Sequence, residues 1–139
     1  ALRTYAVPSR PKAPLIGVLI TQAASIKLPL KISINVGNVV GPSAGLAFAL
    51  ELADRLGPDI DRGYRIAATG ELALGGGVIP IGGVEQKVIG ARRAGIEIMF
   101  VPAGENAVAA RRYAGDMKII AVTSFQQALR ALATLPARK

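Results

Sequence analysis

The sequence predicts a mixed α/β (α+β) domain. Apolar stripes at helical spacing alternate with short runs rich in β-branched residues, the rhythm of strand-helix-strand units. Hydrophobic residues make up 51% of the chain but aromatics only 4%. The core therefore has to be built from Val, Ile, Leu and Ala, as in layered sheet and helix domains. At 139 residues the chain fits one domain, 1–139, able to bury about two thirds of the surface its unfolded form exposes.

Taken in order, Tyr5 to Lys12 carries two prolines and reads as an extended or irregular lead-in, with residues 1–14 following an upstream domain. Pro14 to Thr21 is a buried-strand candidate. Ile32, Ile34 and Val36 alternate with Lys31, Ser33 and Asn35, the period of a half-buried strand, and Gly37 to Gly41 breaks it. From Ser43 the apolar positions become Leu46, Ala49, Leu50, Ala53 and Leu56, a helical stripe stopped by Gly57-Pro58. Pro42 suits the first helical turn because the amide it lacks would be unpaired there.

Arg65 to Thr69 reads as a strand, and Glu71–Leu74 and Val78–Ile81 flank Gly75-Gly76-Gly77 as a hairpin. Val84, Val88 and Ala91 mark a second helix reaching Gly95, with Lys87 near its first turn. A strand (Ile96–Val101), a polar loop (Pro102–Asn106), a short helix (Ala107–Ala114), a strand (Lys118–Val122) and a last helix follow. Ser124 and Gln127 form a capping box for that last helix.

The chain has no cysteine and no histidine. That excludes disulfides and thiolate metal sites, and removes most zinc and haem chemistry; no metal and no cofactor is expected. The longest apolar run, Leu15 to Ile20, falls far short of the roughly 20 residues that span a bilayer. The chain itself reads as soluble. It begins with Ala1, so we expect a piece of a longer protein with any anchor upstream. The net charge of +8 raises nucleic-acid binding. However, the basic residues are scattered in ones and twos (Arg92-Arg93, Arg111-Arg112) and the aromatics form no stacking platform. A solvated basic surface is the simpler reading, and no nucleic-acid partner is expected.

The chemistry centres on two residues. Ser43 lies in Gly41-Pro42-Ser43-Ala44-Gly45, at the start of a helix, and Lys87 follows 44 residues later in Gly82-Gly83-Val84-Glu85-Gln86-Lys87. A serine nucleophile needs a base, and without histidine the candidate is the Lys87 amine. An ordinary lysine, with a pKa near about 10.4, is protonated at neutral pH. The role therefore needs a desolvated amine, helped by the positive end of a helix. A helix start at Ser43 would leave amides at Gly41, Ser43 and Ala44 suited to hold an oxyanion. Singly, each motif has a bland alternative: a helix start beside a tight contact, and a solvated surface lysine.

Together these segments carry a resemblance. Gly41-Pro42-Ser43-Ala44-Gly45-Leu46, Ala68-Thr69-Gly70-Glu71, Pro80-Ile81-Gly82-Gly83-Val84-Glu85-Gln86-Lys87, Ala91-Arg92-Arg93-Ala94-Gly95-Ile96 and Val101-Pro102 resemble, in order and spacing, the proteolytic domain of Lon-family peptidases. The resemblance implies a serine-type endopeptidase with Ser43 as nucleophile and Lys87 as general base, and it implies that Thr69 hydrogen-bonds and orients the lysine. Thr69 could equally be an ordinary strand residue. Glu71, Asn106 and Arg92-Arg93 lie in family-like segments and could serve packing alone.

Two departures stand out. Val40 occupies the place where ATP-dependent members usually carry an acid, and Gly83 stands where a Walker A lysine would be needed. The Val39-Val40-Gly41-Pro42-Ser43-Ala44-Gly45-Leu46 form, the Gly82–Lys87 segment and the Pro102-Ala103-Gly104-Glu105-Asn106 stretch look closer to the bacterial PDZ-Lon type, which is ATP-independent, with a membrane anchor and a PDZ domain ahead of an extracytoplasmic peptidase. An ordinary Lon relative would instead be cytoplasmic. The implied partners are peptide or unfolded protein substrates, bound extended beside Ile32–Val39 or the glycine-rich hairpin, and further copies in a ring, often a hexamer. The alternative is a catalytically silent Lon-like oligomerisation or binding module.

Overall fold

The strand Ile98–Pro102 is buried at every position, the pattern of a parallel strand covered on both faces. It organises the main body of the protein. The computed structural model describes residues 4–7, 10–16 and 41–138, and the chain divides into two units, Ala1–Gly37 and Asn38–Lys139. The first holds strands β1 (Thr4–Val7) and β2 (Arg10–Ile16). The second holds α1 (Gly45–Leu56), β3 (Ile66–Ala68), β4 (Glu71–Leu72), β5 (Val78–Ile79), α2 (Val84–Arg93), β6 (Ile98–Pro102), α3 (Glu105–Tyr113), β7 (Lys118–Val122) and α4 (Phe125–Ala133).

In the first unit β1 and β2 pair antiparallel, Thr4 opposite Ile16 and Tyr5 opposite Leu15. Of the extended or irregular lead-in expected for Tyr5–Lys12, the described residues are extended, and they are paired. Pro11 and Pro14 fall inside β2. A two-stranded ribbon has only edges, so a missing N–H is tolerated there. Of the strand expected over Pro14–Thr21, Pro14–Ile16 lies in β2; the rest, and the strand expected at Ile32–Val36, fall outside the described residues.

In the second unit β6 lies between β3 and β7, and both pairings are parallel. Alternation along β6 sorts the core into two halves. Ile98 and Phe100 join Leu46, Leu50, Val122, Ala128 and Leu132, so α1 and α4 cover one face. Met99 and Val101 join Val84, Val88, Ala107 and Ala110, so α2 and α3 cover the other. Phe100 is fully buried, and a side chain of that size contributes roughly 1.5–3 kcal/mol by leaving water. The result is the expected mixed α/β fold, with helices on both faces of a parallel sheet.

The hairpin β4–β5 pairs Glu71 with Ile79 and Leu72 with Val78; β4 stops two residues before Leu74 on the turn side, and β5 two before Ile81 at the open end. Its glycine loop is fastened to the start of α4. Val78 N–H donates to the Thr123 carbonyl (2.9 Å) and Phe125 N–H to the Gly76 carbonyl (2.9 Å). The cap of α4 departs from the expected box. Ser124 Oγ accepts from Gln127 N–H (3.2 Å) as expected, but Gln127 Oε1 accepts from Thr123, at its N–H (2.7 Å) and Oγ1 (3.0 Å). Helix α3 starts two residues early, at Glu105, whose carboxylate suits the positive end of a helix.

The paired arginines, scattered in sequence, meet at one end. Arg92 and Arg93 close α2, and Arg111 and Arg112 close α3. The strands that follow begin side by side, Ile98 opposite Lys118. At the same end Glu97 accepts from Arg65 N–H (2.9 Å) and pairs with Arg138 (2.5 Å). The backbone hydrogen bond from Arg65, then the Arg138 charge, hold the Glu97 carboxyl below its ordinary value of 4.5. A depressed carboxyl pKa contributes stability that is complete above the unfolded value and is lost as pH falls through the folded one. Glu97 is partly exposed, so the contribution is modest. Glu97→Gln should therefore lower the urea midpoint at pH 7, and the gap from the native protein should close below about pH 4. A gap unchanged between pH 7 and pH 3.5 would contradict this assignment.

Candidate active site

Ser43 does not open an α-helix directly. It lies in a 3-10 turn, Pro42–Ala44, that runs into α1. Gly70 fills the break between the two. In a continuing 3-10 turn the Ser43 carbonyl would accept the Leu46 amide three residues on. Instead Gly70 sits between them: its N–H donates to the Ser43 carbonyl (2.9 Å), and its own carbonyl accepts from Leu46 N–H (3.0 Å). Gly45 makes this approach possible. A Cβ there would lie 3.0 Å from the Leu72 nitrogen and 3.1 Å from the Leu72 Cβ. The second glycine of the G-P-S-A-G run thus lets α1 lie against β4. Gly41 has φ of 96°, a left-handed conformation that favours glycine, where the chain enters the turn.

Thr69 follows β3 at its C-terminal end, the end of a parallel sheet where ligands bind in open α/β folds. Its N–H donates to the Phe100 carbonyl (2.9 Å), tying it to the central strand. Its side chain is 3% exposed, and Oγ1 donates to the Ser43 carbonyl (3.1 Å). The resemblance implies a bond from this hydroxyl to the Lys87 amine, with an ordinary strand residue as the alternative; the bond found goes to the backbone of Ser43. Two donors, Gly70 N–H and Thr69 Oγ1, therefore converge on the carbonyl of the candidate nucleophile. Gly70 is a site residue the sequence reading left without a role. Its only local signal was its place between Thr69 and Glu71.

Lys87 is the fourth residue of α2. Gly83, with φ of 66°, turns the chain into the helix, and its carbonyl accepts from Lys87 N–H (3.3 Å). At this position the side chain reaches back over the first turn. Lys87 Nζ donates to Ser43 Oγ at 2.8 Å, in a part-buried contact. The two residues that the sequence singled out 44 positions apart are thus in direct contact. With Thr69 they border a recess of about 350 Å³ whose remaining walls are Ala44, Ala67, Ala68, Gly90, Ala91 and Met99. These walls are small and apolar. A larger cavity of about 450 Å³ between α1 and the stretch from Ile60 to Ala68 contains neither Ser43, Thr69 nor Lys87, so chemistry, not size, marks the site. Among the described residues no group of three or more His, Cys, Asp or Glu side chains is arranged to hold a metal, and no helix is long and apolar enough to cross a membrane.

Fold and geometry together define a serine and lysine site at the carboxyl end of a parallel α/β sheet. The family described as Lon protease (S16) C-terminal proteolytic domain matches residues 23–134, and the chain belongs to that family of serine-type peptidases. Lon protease 2 of Thermus thermophilus is 50% identical over 62 residues, 45% of this chain and 8% of that protein. The Lon proteases of Clostridium beijerinckii (40% over 95 residues) and Campylobacter concisus (38% over 94 residues) each match 65% of this chain and 12% of their own length. The chain thus aligns with only a small fraction of these relatives.

Thr69→Val keeps the shape but removes the donor to the Ser43 carbonyl, which retains the Gly70 amide. The expected loss in urea denaturation is about 1 kcal/mol, the net worth of a typical hydrogen bond. No loss would mean that the hydroxyl does not hold the turn.

Proposed function

We propose that the chain is the proteolytic domain of a serine endopeptidase that hydrolyses peptide bonds through a Ser43-Lys87 dyad and an acyl-enzyme. One observation carries the reading: Lys87 Nζ lies 2.8 Å from Ser43 Oγ in a chain without histidine. With the amine neutral, the same contact lets Oγ–H donate to its lone pair. Ser43 Oγ then attacks the scissile carbonyl carbon as its proton passes to Lys87 Nζ. The oxyanion forms beside the 3-10 turn, where the amides of Gly41, Ser43 and Ala44 are the proposed donors. Collapse breaks the C–N bond, and the leaving amine takes the proton from Lys87. In deacylation Lys87 Nζ takes a proton from water as its oxygen attacks the ester carbon; the C–Oγ bond then breaks, Lys87 returns that proton to Ser43 Oγ, and the acid leaves with the dyad restored.

The mostly small, apolar walls of the recess support the reading, since they offer the amine no carboxylate partner. Substrate would be a peptide or unfolded segment bound extended, with the β4–β5 hairpin as its candidate edge. Val40 before Gly41, and Gly83 in place of a phosphate-binding lysine, support an ATP-independent mode. On the same basis the parent protein would be of the PDZ-Lon type, tethered to a bacterial membrane with the peptidase outside the cytoplasm. Further copies would complete a ring.

Ser43→Ala and Lys87→Ala should each reduce turnover of a fluorogenic peptide by at least about 10³-fold, and a peptide boronate should label the native protein at Ser43. Full activity in either variant would reject the dyad. A native protein that neither cleaves nor takes up the boronate would be a silent binding or assembly module.

A further inference from the structure

Helix α2 carries the proposed base, yet its N-cap is Gly83 and no side chain caps it. The approach is equally bare: Gly82 and Gly83 are exposed and have no side chains to fix the direction of the chain. Immediately before them, Ile81 is held from outside the helix. Asn106 Oδ1 accepts from Ile81 N–H (2.8 Å), and Asn106 Nδ2 donates to the Ile81 carbonyl (3.0 Å). The contact spans 25 residues of sequence and joins the first turn of α3 to the entrance of α2.

We propose that Asn106 is a positioning residue for catalysis: it fixes the entrance of α2 so that Lys87 Nζ reaches Ser43 Oγ. The inference rests on the dyad reading given above. The path is short and made of backbone. Asn106 fixes Ile81, and two residues later the Gly83 carbonyl accepts the Lys87 amide, with Val84 and Val88 of α2 buried against the sheet. Packing sets how deep α2 lies, and the amide sets where it starts. A slip of the helix along its axis carries the lysine with it, and a misplacement of about 1 Å can cost about 100-fold in rate. The amide presents its acceptor and its donor on two separate atoms, so it serves the Ile81 N–H and the Ile81 carbonyl at once. Aspartate keeps the acceptor for the Ile81 N–H but turns a second oxygen toward the Ile81 carbonyl.

The experiment compares native protein, Asn106→Ala, Asn106→Asp and Asn106→Ser, with Val108→Ala on the exposed side of α3 as a control. Ser43→Ala sets the background. Steady-state turnover of a fluorogenic peptide is read well below each melting temperature, alongside amide hydrogen exchange at Ile81 and Lys87. Asn106→Ala and Asn106→Asp should lower kcat about 10- to 100-fold with KM within about threefold. Asn106→Ser, which can restore one of the two bonds, should fall between. Protection at Ile81 should drop in the Ala variant, while Val108→Ala matches the native protein throughout. Native-like kcat in a folded Asn106→Ala variant would overturn the proposal, as would a loss confined to melting temperature. If native protein and Ser43→Ala are equally inactive, the dyad reading fails. Hydrogen exchange then still decides the structural half, since unchanged protection at Ile81 would show that the amide does not hold this segment.

Discussion

Gly70, set into the start of the first helix, is the contact on which the site depends. Its N–H and carbonyl take the Ser43 carbonyl and the Leu46 amide out of the helical ladder, and the Thr69 hydroxyl adds a second donor to the same Ser43 oxygen. A serine on an exposed helix start would be free to fray with its turn. Here its backbone is tied to the residue that continues β3, and through the Thr69 amide to the buried central strand. The buried central strand thus anchors the backbone of the proposed nucleophile, while its side chain meets Lys87.

The lysine reaches the same point by another route. Helix α2 lies on the face of the sheet opposite α1, so Ser43 and Lys87 approach each other around the carboxyl end of β3. This explains why the recess between them is lined by alanine and glycine. Ala67 and Ala68 on the strand, and Gly90 and Ala91 on the helix, keep the wall low enough for a lysine side chain to bend toward the serine. Larger residues there would hold α2 away. The low aromatic content of the chain has a local counterpart in this corner.

Much of this was legible in sequence because it depends on local chemistry. Gly57-Pro58 ends α1 where expected, the three-glycine turn joins β4 to β5, and Ser124 caps α4, each set by residues within a few positions. The contact between Ser43 and Lys87 was legible for another reason: with no histidine in the chain, few bases were left to choose from. What was not legible is what the tertiary structure decides. The break between the 3-10 turn and α1 is filled by Gly70, 27 positions after Ser43, and a pattern of apolar spacing cannot register a backbone inserted from elsewhere. The partner of the Thr69 hydroxyl, a backbone carbonyl rather than an amine, is equally nonlocal. In the first unit, Pro11 and Pro14 lie inside a strand, since prolines argue against central strands but not against edges.

The basic residues show why charge read along a chain misleads about charge in space. Pairs that look evenly scattered, Arg92-Arg93 and Arg111-Arg112, close two helices that run to the same edge of the sheet, and Arg92 packs its aliphatic stem against Gly115 just beyond α3. Cations at helix C-termini are favoured by the helix dipole, so this clustering follows from building two parallel strand-helix units side by side. The same construction puts the N-terminus of α2, with Lys87, at the other end of the sheet. In a fold of this kind one end of the strands gathers the surplus arginines and the other gathers the helix starts. A serine and a lysine at helix starts are thereby brought together, at the end of these strands opposite the Arg92-Arg93 and Arg111-Arg112 pairs.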